Sequence, residues 1–440
     1  MLKYCFCAFA LLLVLPFGSM RVEGKNSRCK TIYIPRDLQA MNLKSDTALW
    51  SYCRMDTTLD DIAIFWQRGF GHDLSNPPQL EGHDMSVDID NLKQKLQRYY
   101  TFFRDTLKFV KPGSKTEKYR MMVMLNYSLE GTAYGGDYDE TIGALWIAPN
   151  RVKDKKLNCI AHELGHSFQS QVYSDGEGDS WGGSGFFEMT SQWMLWLVNP
   201  DWVTDENYHL EAFKHLTHKA FLHLDNIYHS PYIIEYWAEK HGRESIAQLF
   251  RDGKVGEDPA MTYMRTNKMT QQQFCDEMFD ASRRIVNFDF SHARKETRPY
   301  AATFCNNLDV RNGWLCSTEK ETPESYGFNV VPLTMKKNIV IDFEGLAALG
   351  DDKPFNIQHS TQPLGWCYGV VEITKDGKAV YGDMLSSVKG RLKYRPTSTD
   401  SRLFLVVMGA PQKHVMNPEP DEEGHYNKEF LKFPYRIRQK

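Results

Sequence analysis

The chain lacks a charge bias. Its formal net charge is −3 over 440 residues, which gives no electrostatic basis for holding nucleic acid or an anionic membrane surface. It lacks any CxxC pair. The seven cysteines beyond the first two dozen residues (Cys29, Cys53, Cys159, Cys275, Cys305, Cys316 and Cys367) are scattered and odd in number, which excludes a cysteine-rich zinc scaffold. Cys305 with Cys316, and Cys29 with Cys53, would each close a short loop if oxidised, and Cys159 reads as a buried thiol. Internal repeats and low-complexity tracts are missing as well. Beyond the N-terminus no apolar run reaches the length that a bilayer span demands.

What is present is ordinary globular composition, 42% hydrophobic and 25% charged, in a chain long enough for two or three cores. Aromatics at 13% favour large packed interiors and aromatic-lined clefts. At the N-terminus Lys3 precedes an almost unbroken apolar run over residues 6–17, too short to cross a membrane comfortably. It reads as an export signal. A cut after Gly24, with Val22 at the third position before it, is expected, and Ser19 marks an alternative. The mature chain is therefore expected to be secreted, periplasmic or at the cell surface, without a transmembrane span.

Taken in order, residues 61–71 read as a strand and 88–108 as an amphipathic helix, with Leu92, Leu96, Phe103 and Leu107 at helical spacing. Residues 118–126 read as a second strand, and the glycine-bearing 131–148 as a hairpin or edge strand. A helix is expected over 150–173, capped by Asn150. The acidic 174–185 reads as a loop, and 186–198 as a strongly apolar helix. Further helices are expected over 210–224, 231–241, 243–250 and 270–285. Beyond about residue 298 the pattern changes to strands (337–344, 366–374, 378–382, 402–409), with Lys375-Asp376-Gly377 as a hairpin turn. The expected fold class is α+β. A signal over 1–24 precedes a first domain over 25–300, with a small mixed sheet, the helix over 150–173 and then a mainly helical part. A linker over 301–325 leads to an all-β sandwich-like domain over 326–440.

The chemistry concentrates in C-I-A-H-E-L-G-H-S-F-Q, residues 159–169. His162 and His166 stand four apart, on one face of a helix, and two imidazoles so placed can share one zinc ion. Glu163 follows the first histidine, where a carboxylate can act as general base. The apolar stripe Leu157, Ala161, Leu164, Phe168 and Val172 occupies a different face. A tetrahedral zinc site needs one more protein ligand. The HExxHxxGxxH extension fails, because Gln169 and Val172 stand at its positions. Asp175 and Asp179 lie in the acidic loop, and Glu177 sits between glycines. Glu188 sits in the first turn of the next, apolar helix, where a carboxylate needs a partner or the helix dipole. The loop's Asp175, Glu177 and Asp179 spacing departs from a calcium loop, with Ser180 and Phe186 at the diagnostic positions.

H-E-L-G-H followed by a helical glutamate resembles the gluzincin zinc metallopeptidases, and the likeness extends over about residues 61–285. The 22-position gap from His166 to Glu188 (188 − 166) is longer than in the best-known members. The resemblance implies one Zn2+ held by His162, His166 and Glu188, with Glu163 polarising a water for attack on a peptide carbonyl. It also implies an oxyanion donor downstream, for which Tyr228, His229, Tyr232 and Tyr236 are available, Tyr232 and His229 leading. Gly135-Gly136 or Gly143-Ala144 is placed to pair an extended peptide along an edge strand. The expected activity is hydrolysis of proteins, peptides or glycoproteins. The alternative is a glycan- or glycoprotein-binding surface protein, with Trp366 and Tyr368 as the binding rings and the zinc centre secondary.

Overall fold

The computed structural model describes residues 29–181, 185–292, 294–346, 364–421 and 423–440. The leader assigned to residues 1–24 lies outside them. Among the described residues no helix is long and apolar enough to cross a membrane.

The N-terminal sheet holds β1 (Met55–Thr58), β2 (Ile62–Trp66), β3 (Met121–Leu125), β4 (Ala133–Tyr138) and β5 (Ile142–Ile147), in the order β1-β2-β3-β5-β4. The β2, β3 and β5 strands run parallel, and β4 returns antiparallel as the outermost strand. Every residue of β2 and β3 is buried, which is why they read as unbroken apolar runs. Helix α1 (Ile89–Asp105) crosses between them, capped by Asp88 on the Asn91 N–H. Its Tyr100 and Phe103 meet Phe168 of α2 (Asn158–Ser174) edge-on.

Helix α2 begins later than the sequence suggests. Asn150 belongs to a short 3-10 turn, and Leu157 takes a left-handed conformation (φ 55°) immediately before the helix. A branched side chain in that region is uncommon, so apolar spacing could not announce the break. The helical half continues with α3 (Phe186–Val198), α4 (Trp202–Asp205), α5 (Tyr208–Leu216), α6 (Tyr232–His241), α7 (Glu244–Asp252), α8 (Pro259–Thr266), α9 (Gln271–Ile285) and α10 (Arg294–Thr297).

The C-terminal strands are β6 (Leu308–Arg311), β7 (Trp314–Ser317), β8 (Phe328–Leu333), β9 (Ile339–Gly345), β10 (Trp366–Ile373), β11 (Ala379–Ser386), β12 (Lys389–Tyr394), β13 (Arg402–Gly409) and β14 (Tyr435–Gln439). They form two sheets, ordered β11-β10-β13-β8 and β12-β9-β14-β7-β6. The stretch 301–325, expected to be a linker, thus contributes two strands to the second sheet. Nor is this half a free-standing sandwich. In β13 the side chains of Leu403, Leu405 and Val407 enter a core shared with the second sheet, while Phe404, Val406 and Met408 enter the core of the helical half. In β10 Trp366, Tyr368 and Val370 take the first direction, and Cys367, Val371 and Ile373 the second. The first sheet is therefore a middle layer, with α9 on one side and the second sheet on the other. Trp366 and Tyr368 are 0% exposed. Tyr368 stacks on Phe343 at 3.8 Å, and the Trp366 indole donates to the Phe433 carbonyl. They are core, and the glycan-binding alternative loses the rings it rested on.

Candidate metal centre

Helix α2 is seated against the β4–β5 hairpin by glycine. A Cβ at Gly135 would stand 1.9 Å from the Glu163 carbonyl oxygen, and one at Gly143 2.7 Å from the Ser167 carbonyl. On the opposite flank, a Cβ at Gly165 would lie 2.8 Å from Ser191 Oγ of α3. The two middle letters of H-E-L-G-H thus have separate jobs: Leu164 fills the core, and Gly165 admits the neighbouring helix.

That close approach sets Glu188 of α3 against both imidazoles. Its Oε2 lies 3.0 Å from His162 Nε2 and 3.1 Å from His166 Nε2, and the two Nε2 atoms are 3.1 Å apart. Donors bound to one zinc at 2.0–2.1 Å in a regular tetrahedron stand about 3.3 Å apart, so this triangle nearly has the required size. The hydrogen bonds behind it decide which ring nitrogens are bare. Gln192 Nε2 donates to the Tyr228 carbonyl, and Gln169 Nε2 to the Phe187 carbonyl. Each amide oxygen therefore turns to an imidazole: Gln192 Oε1 to His162 Nδ1 at 3.1 Å, Gln169 Oε1 to His166 Nδ1 at 2.9 Å. An amide oxygen only accepts, so both protons sit on Nδ1 and both Nε2 lone pairs face the Glu188 carboxylate. Three electron-rich atoms converging in a largely buried space require a positive charge between them. These three residues form a group able to hold a metal ion, and the donor set (two imidazole nitrogens and one carboxylate oxygen) suits zinc.

Burial pushes the Glu163 carboxyl above its ordinary range, against the opposing pull of the two histidines. One of its oxygens accepts from the Gly135 N–H at 2.8 Å, which ties the side chain to the edge strand.

The other sequence candidates go elsewhere. Glu177 pairs with Arg251 at 2.9 Å, Asp175 accepts from Lys115 N and Gln171 Nε2, and Asp179 from the Trp181 N–H. Tyr232 is 0% exposed and packs on Trp196, Phe213 and Phe288. Pro231 starts α6 just before it and turns its ring into the core, so it does not line the metal group. His229 Nδ1 bonds His209 Nδ1 at 2.7 Å, and the Tyr236 hydroxyl donates to Asp280. Tyr228 is the aromatic that reaches the site. Its ring lies 6.1 Å from that of His162, and its phenol is pushed up by burial and then by Glu188. Gln169 and Gln192 escaped the sequence reading. Their signal was there, as amides three positions after His166 and four after Glu188 on otherwise apolar helices.

A family model described as "Family of unknown function (DUF6055)" matches residues 24–440. No curated protein matches the chain. Among solved structures, the chain is similar to the catalytic module of the metalloprotease ZmpA from Clostridium perfringens, at 11% identity and a TM-score of 0.26. The likeness covers 76% of this chain and 62% of that one, so the chain spans less than two thirds of the length of that structure.

Proposed function

The chain belongs to the DUF6055 family, and we propose that it is an exported zinc-dependent peptidase of gluzincin type. The observation that carries this reading is the hydrogen-bond order behind the histidines, which aims two Nε2 lone pairs at Glu188 with Glu163 one residue away. His162, His166 and Glu188 are the residues that would hold the ion. A zinc ion held there would supply Lewis acidity and make a water a better nucleophile. Glu163 takes the proton from the attacking water and later passes it to the leaving amine. Tyr228, whose ring neighbours that of His162, is the residue assigned in this reading as donor to the developing oxyanion. The substrate, a protein or peptide, lies extended along the free edge of β4, whose backbone can pair with it.

The test is Glu163→Gln. The variant should retain one zinc per chain by elemental analysis and lose about 10²–10⁴-fold in peptide hydrolysis. Activity surviving in that variant would sink the mechanism, and wild-type protein without zinc after mild purification would sink the site.

A further inference from the structure

Two sets of aromatic rings gather on α5 and the segment before α6, one beside the candidate metal centre and one around His209. The first holds Tyr228, 43% exposed, with its ring 6.1 Å from that of His162. The next residue, His229, meets His209 at a ring separation of 4.9 Å, and their Nδ1 atoms share a hydrogen bond. His209 packs in turn on Trp202 at 5.4 Å and on Tyr208 at 4.3 Å. Tyr208 is 63% exposed, so this second set ends in an open ring face.

The second set is held rigidly. Glu206 accepts from Asn158 Nδ2 at the start of α2 and from the Trp202 indole, and lies 3.6 Å from His209 Nε2. Its carboxylate is thereby occupied, and Glu188 is committed to the two histidines. Of the cations ahead of α2, Arg151 is turned to the Gly131 carbonyl and Lys156 to Asp201 and Asp205. What these residues offer a ligand is ring surface rather than unpaired charge. The exposed rings of Tyr208 and Tyr228 can each stack another aromatic in offset or edge geometry, worth more than its area alone.

We propose that Tyr208, the His209–His229 pair and Tyr228 form a subsite that stacks an aromatic side chain of a peptide bound beside the metal group. The inference rests on the peptidase reading. The full zinc-loaded chain is assayed on one peptide series carrying Phe, Ala or Arg in turn at each position flanking the cut. The ratio of kcat/KM for Phe over Ala should exceed one at a single position. It should fall about 3- to 10-fold in Tyr208→Ala and be restored in Tyr208→Phe. A second arm needs no hydrolysis: N-acetylphenylalaninamide, N-acetylalaninamide and N-acetylargininamide are titrated into the zinc-loaded wild type and Tyr208→Ala by NMR. Binding that favours the Phe amide in the wild type alone supports the subsite even if no peptide is cut, in which case the peptidase reading fails and the subsite stands. Cleavage without a Phe preference, a preference for Arg, or equal binding of the three amides would each overturn it.

Discussion

Removing the Gln192 amide tests the electrostatic logic of the metal group directly. In Gln192→Met the volume is nearly kept, but the His162 Nδ1–H loses its acceptor 3.1 Å away in a buried setting. Leaving a buried N–H unpaired costs about 1–3 kcal/mol. The ring can escape that cost by moving its proton to Nε2, which removes the lone pair that faces Glu188. Zinc must then be bound against this preference. Loss of a group that orients a metal-binding histidine weakens metal affinity by about 10–100-fold, or about 1.4–2.8 kcal/mol, within the range of the unpaired N–H. The measurement is a competition titration with a chromophoric chelator on the full chain, alongside the melting temperature of the metal-free protein. Gln192→Glu is the control: it keeps an acceptor for Nδ1 but loses the donor to the Tyr228 carbonyl at 2.8 Å. It should hold zinc far better than the Met variant. Equal affinity in Gln192→Met and wild type would refute the tautomer argument. An equal fall in both variants would move the cause to the Tyr228 segment.

Gly135→Ala places a methyl 1.9 Å from the Glu163 carbonyl and 2.9 Å from His166 Cβ. Overpacking of that kind costs about 1–3 kcal/mol and dislodges the Gly135 N–H from Glu163, so melting temperature and hydrolysis should both drop; wild-type values in both would contradict the seating of α2. Glu235 on α6 is 1% exposed, bonds the Trp193 indole at 2.7 Å, and is pushed up by burial to about 7 from 4.5. Arg243 pulls against that rise and Glu239 adds to it. A raised acid stays neutral in the fold while the unfolded chain ionises, so its contribution to stability is lost as pH rises from about 4.5 to about 7. Glu235→Gln should therefore match the wild type near pH 4 and gain up to about 3 kcal/mol by pH 8, read as the shift in urea midpoint. A gain independent of pH would remove the ionisation argument.

Much of the fold was legible where one physical rule acted alone. The buried strands β2 and β3 showed as apolar runs, and α3, α6 and α9 began and ended within a residue of their expected bounds. Glu188 stood out because a carboxylate in an apolar helix needs a partner. Legibility ended where backbone conformation or tertiary context decided. The left-handed Leu157 moved the start of α2 by eight residues, from 150 to 158. Short exposed strands such as β6 carry too little apolar alternation to be told from a linker. Tyr228 and Tyr232 are alike in sequence, and only the helix start at Pro231 sends one to the metal group and the other to the core. The strands β10 and β13 read as the inside of a two-sheet sandwich, because a strand buried on both faces does not say what covers each face.

That middle sheet has a thermodynamic consequence. Since alternate residues of β13 plug two separate interiors, neither interior can lose its order while the other keeps its own. Heating or denaturant should thus dissolve the helical half and the C-terminal strands in one transition, with calorimetric and van't Hoff enthalpies in agreement. A fragment starting at residue 326 would carry Phe404, Val406 and Met408 into water and aggregate rather than fold. The C-terminal strands behave less as a passenger than as the floor against which α9 and the helical half are built.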